Sequence, residues 1–299
     1  MAAMHLSQIL LPRSFLRMIP ALCAAVAAAL PASAQEQTPP PPPSAPPAPA
    51  PSVTPPAADR FDLYLLVGQS NMAGRGKLTP ADRAPDPRVL VLGKDDQWVR
   101  QGEPLHFDKK EAGVGLGFTF AKRMADRSPG VVIGLIPCAV GGTPQSRWMP
   151  GSDGKAGGDL YEAAVRRAKI AQQAGRLKGI LWHQGESECG SLTKAQAYAE
   201  GLALIVAGFR RDLNVPDAPF VAGELGEFLY TRSGGKSPYA KIVNEQIDRL
   251  PTLVPGTAVV SSAGLAHKGD ELHFDADAQR EFGRRYFEAM AELQKKAGK

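Results

Sequence analysis

From Arg60 onward the chain alternates between two hydrophobic rhythms. Short, nearly continuous apolar runs of β-type occupy 63–67, 89–92, 131–137, 179–183, 220–223 and 257–261. Between them, apolar positions three and four apart predict helices over 116–125, 160–173, 194–209, 239–250 and 277–295, the last with Asp275 as its N-cap. A strand that is apolar on both faces belongs inside a sheet covered on both sides. The pattern therefore predicts a three-layer α/β/α domain over residues 60–299, with a central, mainly parallel sheet. In such sheets reactive groups gather in the crevice beyond the carboxyl ends of the strands.

The residues before this domain follow neither rhythm. Residues 1–34 read as an export signal, with Arg13 and Arg17 ahead of an apolar stretch at 18–30 and Ala32-Ser33-Ala34 as a small-x-small cleavage site. The stretch is too short and too alanine-rich to span a bilayer comfortably. The expectation is a cleaved signal, export to the periplasm or the extracellular space, and no stable membrane insertion afterwards. Residues 35–59 are rich in proline and alanine, with Pro39 and Pro56 marking the ends of the proline cluster. Such a composition favours extended polyproline II and cannot form a core, so this segment is expected to be a disordered linker.

Charge and cysteine content narrow the picture further. Loss of residues 1–34 removes Arg13 and Arg17 and no acidic residue, which lowers the formal net charge from +5 to +3. So mild a balance is no footprint for nucleic acid. Cys138 and Cys189 remain beyond the signal. In an oxidising compartment they are able to form one disulfide, the alternative being two buried thiols. Stability must come mainly from apolar burial, which a globular part of roughly 240 residues supplies.

Four segments that carry chemistry stand at predicted strand ends. In Gly68-Gln69-Ser70-Asn71, a strand stops at a glycine and presents a serine, a way to expose a nucleophile. In the segment Cys138-Ala139-Val140-Gly141-Gly142-Thr143, paired glycines allow backbone N–H groups close to a ligand, where one can stabilise a developing oxyanion. In His183-Gln184-Gly185-Glu186-Ser187-Glu188, the Gln184 amide is a further oxyanion donor and Glu186 a carboxylate able to orient a histidine. His183 itself reads as a hydrogen-bonded strand-end residue. Neither it nor Cys189 has partners at metal-ligand spacing, so no metal site is predicted. Finally, Asp270-x-x-His273 places a carboxylate and an imidazole within one turn, as a general base and its orienter require.

Taken together, GQSNMAG (68–74), PCAVGGT (137–143), WHQGESE (182–188) and DELHF (270–274) resemble the SGNH hydrolase superfamily. The likeness is to the branch that holds sialate O-acetylesterases and the acetylxylan esterases of carbohydrate esterase family six. The motifs depart from the usual α/β-hydrolase elbow, since Met72 stands where a second glycine is expected and the serine follows the first strand. The resemblance implies a flavodoxin-like hydrolase fold and a serine esterase that needs no cofactor. It implies Ser70 as nucleophile and, through its own N–H, oxyanion donor, Gly141 or Gly142 as second donor, and Gln184 as third. His273 is then the base and Asp270 its orienter, with Glu186 a competitor for that part.

Around this centre, Trp148 is a candidate for stacking on a sugar ring, and the glycine-rich stretch 113–118 for the opposite lip of the pocket. The expected activity is removal of O-acetyl groups from an acetylated carbohydrate, acetylxylan-like or sialic-acid-like, through an acyl-enzyme. The alternatives are a non-catalytic carbohydrate-binding module on the same fold, or an esterase acting on peptidoglycan or lipid esters.

Overall fold

The computed structural model describes residues 51–151 and 156–298. The export signal and residues 35–50 of the linker lie outside the described residues. Seven strands form one sheet: β1 (Phe61–Gly68), β2 (Val89–Leu92), β3 (Trp98–Val99), β4 (Val132–Pro137), β5 (Arg176–His183), β6 (Phe220–Gly223) and β7 (Thr257–Val260). Their order is β3-β2-β4-β1-β5-β6-β7. All neighbours run parallel except β2 and β3. The two-residue β3 is too short to leave a periodic signal, and the sequence pattern missed it.

The helices are α1 (Ser70–Ala73), α2 (Leu116–Arg127), α3 (Asp159–Gln172), α4 (Leu192–Gln196), α5 (Tyr198–Asp212), α6 (Ala240–Asp248), α7 (Leu250–Leu253) and α8 (Ala276–Ala297). Asp275 caps α8 as expected, its Oδ1 accepting from Ala278 N at 2.7 Å. The helix expected over 239–250 ends at Asp248. Pro251 stands in the first turn of α7, where its missing N–H interrupts the helical ladder. The helix expected over 194–209 is divided at Ala197 with neither glycine nor proline to announce it.

β1 shows why the sheet needs cover on both sides. Phe61, Leu63, Leu65 and Val67 enter the cluster built with α3, α5 and α6. Tyr64 and Leu66 enter the cluster built with α2 and α8. Successive residues thus point to opposite faces, and both faces are apolar. The linker expectation changes at its carboxyl end. Ser52 bridges Val99, and Val53 N donates to Trp98 O at 2.7 Å, so the chain already runs along edge strand β3 before residue 60. An edge with unpaired backbone groups gains a partner there.

The chain winds to one side of β1 through β2 and β4 and then crosses to the other through β5, so β1 lies at the switch point of the sheet. Its register brings Leu66 beside Pro137 and Gly68 beside His183. Three motif loops therefore leave the sheet side by side. Gly68 is required at this point. Its φ is +134°, and a Cβ there would lie 2.0 Å from the His183 carbonyl oxygen.

Candidate active site

Ser70 opens the short helix α1 immediately after β1, on the floor of a cleft of about 410 Å³. Its Oγ is 3.0 Å from Nε2 of His273, a residue 203 positions away. His273 Nδ1 lies 2.7 Å from Asp270 Oδ2. Asp270 Oδ1 meanwhile accepts from the N–H groups of Leu272 and His273 at 3.0 and 2.8 Å. Partial burial alone would raise the Asp270 carboxyl. The His273 hydrogen bond and the backbone donors outweigh it and hold the group at about 2.

The loop between β7 and α8 that carries this pair is a small hairpin. His267 bridges Phe274, and Lys268 N donates to His273 O at 2.9 Å. Glu271, at φ +52°, accepts from Ser233 N and Oγ at 2.8 and 2.9 Å, which ties the hairpin tip to a neighbouring loop.

Glu186, the other carboxylate considered for orienting the base, is not on His273. Its Oε1 accepts from Asn71 Nδ2 at 2.5 Å, and burial raises its carboxyl above the ordinary range. Sequence reasoning passed over Asn71, though it stands next to Ser70 in the motif.

The oxyanion expectations need correction at two positions. Gln184 is fully buried, and its Nε2 is turned inward to Gln69 Oε1, Thr143 O and Glu188 Oε2 at 3.2, 3.1 and 2.5 Å. Its Oε1 accepts from Tyr198 OH at 2.9 Å. The amide braces the loop from beneath and has no N–H left for the cleft. Gly141 N donates to Asp108 Oδ2 at 2.8 Å, so that donor is also engaged. Gly142 is exposed on the cleft wall, and its N–H has no partner among the described residues. The side-chain amide on the wall is instead that of Gln69. Its Oε1 accepts from Gln184 Nε2 and Ser187 Oγ, both at 3.2 Å, and its Nε2 has no partner among the described residues. Its position beside Ser70 was the available signal.

Asp108 was also missed, because no motif surrounds it. It forms a buried pair with Arg75, Nη2 to Oδ2 at 2.6 Å, with side chains only 4% and 1% exposed. Burial pushes the Asp108 carboxyl up, but Arg75 and the Gly141 N–H hold it below its ordinary value. A Cβ at Gly141 would stand 2.6 Å from Arg75 Nη2 and 3.3 Å from Ser70 Cβ, so a larger residue there has to displace the end of the Arg75 side chain.

Other peripheral expectations also change. Trp148 is 0% exposed, packed edge-on against Trp182 with ring centroids 5.7 Å apart, and cannot reach a sugar. The apolar area of a tryptophan wins burial where the helical layer offers it. The glycine-rich stretch packs against the serine loop, Gly113 N donating to Gly74 O at 3.1 Å, and does not line the cleft. Lys109, Glu111, Arg232 and Lys268 do. Cys138 and Cys189 are free thiols. Burial raises both, Cys138 to about 11, so neither is an activated nucleophile.

His183 behaves as a core residue. Its Nε2 is 3.1 Å from the Glu224 carbonyl, and burial lowers its pKa to about 4. A depressed histidine contributes stability that is present above its unfolded value near 6.5 and is lost as pH falls toward 4. From this group alone the fold is expected to lose about 2 kcal/mol between pH 7 and pH 5. His183→Phe removes the titration, so its stability deficit in urea unfolding should be narrower at pH 5 than at pH 7. An equal deficit at both pH values contradicts the assignment.

The fold and a family match define a class: a carboxylic ester hydrolase of SGNH type. A protein-family model described as carbohydrate esterase, sialic acid-specific acetylesterase matches residues 60–292. A "probable carbohydrate esterase" of Arabidopsis thaliana is 34% identical over 241 residues, 74% of this chain and 86% of the relative. An X-ray structure of an Arabidopsis thaliana protein has a TM-score of 0.67 at 32% identity, covering 77% of this chain and 98% of that one. In fold alone, NanS is similar at TM-score 0.64 and 19% identity, covering 82% of this chain and 99% of its own. The chain belongs to the carbohydrate esterase, sialic acid-specific acetylesterase family.

Proposed function

We propose that this chain removes O-acetyl groups from a sugar through an acetyl-serine intermediate. The observation that carries the reading is the continuous line Ser70 Oγ–His273 Nε2–Asp270 Oδ2, with spacings of 3.0 and 2.7 Å, at the floor of an open cleft. Asp270 holds the His273 proton on Nδ1, so the Nε2 lone pair faces the serine hydroxyl. Ser70 Oγ attacks the acetyl carbonyl as its proton passes to Nε2. The oxyanion that forms meets the N–H groups of Ser70 and Gly142 and the Nε2 of Gln69. His273 then returns the proton to the departing sugar oxygen. A water deprotonated by His273 attacks the acetyl-serine, the acyl–Oγ bond breaks as His273 returns that proton to Ser70 Oγ, and acetate leaves. Every group is supplied by the chain or by water.

The wall favours an acidic sugar. Lys109 and Arg232 line the cleft with no ion-pair partner among the described residues, Arg75 is matched by Asp108, and Glu111 is an acidic side chain set against them on the same wall. Lys268 adds a third cation, 3.6 Å from Asp270. A carboxylate-bearing sugar therefore gains attraction that a neutral xylan does not. Residues 1–34 support action outside the cytoplasm.

Acetate release from O-acetylated sialic acid, acetylxylan and acetylated peptidoglycan tests the reading. The expected result is fastest release from an acidic substrate, with KM rising as salt screens the cations. No release from any acetylated sugar overturns it.

A further inference from the structure

Asn71, the residue after the nucleophile, holds both flanks of the residue that faces the nucleophile. Its Nδ2 donates to Leu272 O at 3.1 Å, and its Oδ1 accepts from Phe274 N at 3.1 Å. One amide thus closes a two-bond bridge onto the backbone immediately before and immediately after His273. The same Nδ2 donates to Glu186 Oε1 at 2.5 Å. The Asn71 carbonyl in turn accepts from Gln279 Nε2, in α8, at 2.9 Å. Asn71 is buried, so none of these bonds competes openly with water.

The arrangement has a direction. Glu186 has an acceptor oxygen on Asn71, which selects the amide orientation with Nδ2 toward Glu186 and Leu272 O and with Oδ1 toward Phe274 N. Flipping the amide would set two pairs of oxygens against one another and a donor against Phe274 N–H. Glu186 Oε2 has no hydrogen-bond partner among the described residues; Asn71 is the side chain hydrogen-bonded to Oε1, with His183 Nδ1 farther off at 3.9 Å.

We propose that Asn71 is a positioning residue that registers the His273 loop against Ser70, and that Glu186 sets the orientation of the Asn71 amide. The proposal rests on the reading of Ser70 and His273 as a nucleophile–base pair. Asn71 itself lies beside the reacting atoms without taking part in bond making. A device of this kind acts on proton transfer from Ser70 more than on sugar binding, because a loop shift of about 1 Å is enough to cost a large factor in rate. Glu186 then supports the base one step removed, which explains a carboxylate beside the site that does not touch the imidazole.

The test uses the full folded chain and compares Asn71→Ala, Asn71→Asp and the double variant Asn71→Asp/Glu186→Gln. In Asn71→Ala, kcat is expected to fall about 10- to 100-fold with KM within threefold, and labelling by a fluorophosphonate probe to slow by the same factor. Asn71→Asp should be worse, since a new carboxylate at position 71 faces both Leu272 O and the Glu186 carboxyl. Glu186→Gln in the same chain restores an N–H donor toward position 71 with the bond reversed, and should recover at least about fivefold of the lost kcat. Recovery of this kind reads orientation rather than bulk stability, and it is measurable even if Asn71→Ala does not fold. A kcat for Asn71→Ala within twofold of wild type overturns the proposal. So does a double variant no faster than Asn71→Asp. Full activity in Ser70→Ala, measured in parallel, would instead remove the reading on which the proposal stands.

Discussion

Replacing Ser70 by alanine is expected to lower kcat/KM for an acetylated sugar on the order of 10⁴- to 10⁶-fold while leaving the fold intact. Among the described residues the Ser70 hydroxyl makes a single hydrogen bond, to His273 Nε2, so its removal leaves no other described buried group unpaired. The backbone around it is held independently. Gln69 N donates to His183 O at 2.9 Å, and Gly74 N donates to Ser70 O at 2.9 Å. Thermal unfolding of the variant should match that of wild type within a few degrees. Two measurements check the result: acetate release under saturating substrate, and covalent labelling with a fluorophosphonate. Loss of both places the nucleophile at Ser70. Hydrolysis within tenfold of wild type would mean that another group attacks the ester, and the acetyl-serine mechanism would fall.

The second large effect is expected from Asp270→Asn. Asparagine keeps an oxygen that accepts from Leu272 N and His273 N, so the hairpin retains its shape. What changes is the partner of His273 Nδ1. An amide either presents N–H to N–H or turns and gives up the backbone bonds, and the tautomer that frees Nε2 loses its support. A buried triad carboxylate lost in this way costs about 10⁴-fold in kcat. The Asp270 side chain is 37% exposed, and water compensates in part, so a loss of about 10²- to 10³-fold is expected here. With its carboxyl held at about 2, Asp270 is ionised throughout neutral and mildly acidic conditions. Its depressed pKa contributes stability that is full above its unfolded value near 3.8 and is lost only as pH falls toward 2. The acid limb of a pH–rate profile above pH 5 should therefore not report Asp270. Glu186→Gln is the control for the competing orienter. It should retain kcat within tenfold of wild type, since a side-chain oxygen still faces Asn71. A loss equal to that of Asp270→Asn would return the orienting part to Glu186.

Much of the architecture was legible in the residues. The runs at 89–92 and 220–223 became strands with the same limits, and the serine, glycine and HQGE loops all emerged at the carboxyl edge of the sheet. Hydrophobic period is a local property, and a strand buried on both faces states that fact in its own composition. The polar side chains were less legible. Gln184, expected in the cleft, turned inward because Thr143, Glu188 and Tyr198 surround it with partners, and a buried amide must be satisfied. Gln69, itself buried, took the place on the cleft lining. Gly141 and Gly142 are neighbours of the same type, yet Asp108, more than thirty positions earlier, engages one N–H and leaves the other. Trp148 went to the core for its area, and the two cysteines stayed apart.

The order of strands and helices, the layer architecture and the presentation of Ser70 at a strand end were determined by the sequence alone, because each depends on residues within a few positions of one another. Which carboxylate meets His273, which amides face the cleft, and how Asn71 spans the base loop were decided only by the tertiary structure. These are contacts between residues as far as 203 positions apart. They follow from the requirement that every buried donor and acceptor find a partner in three dimensions.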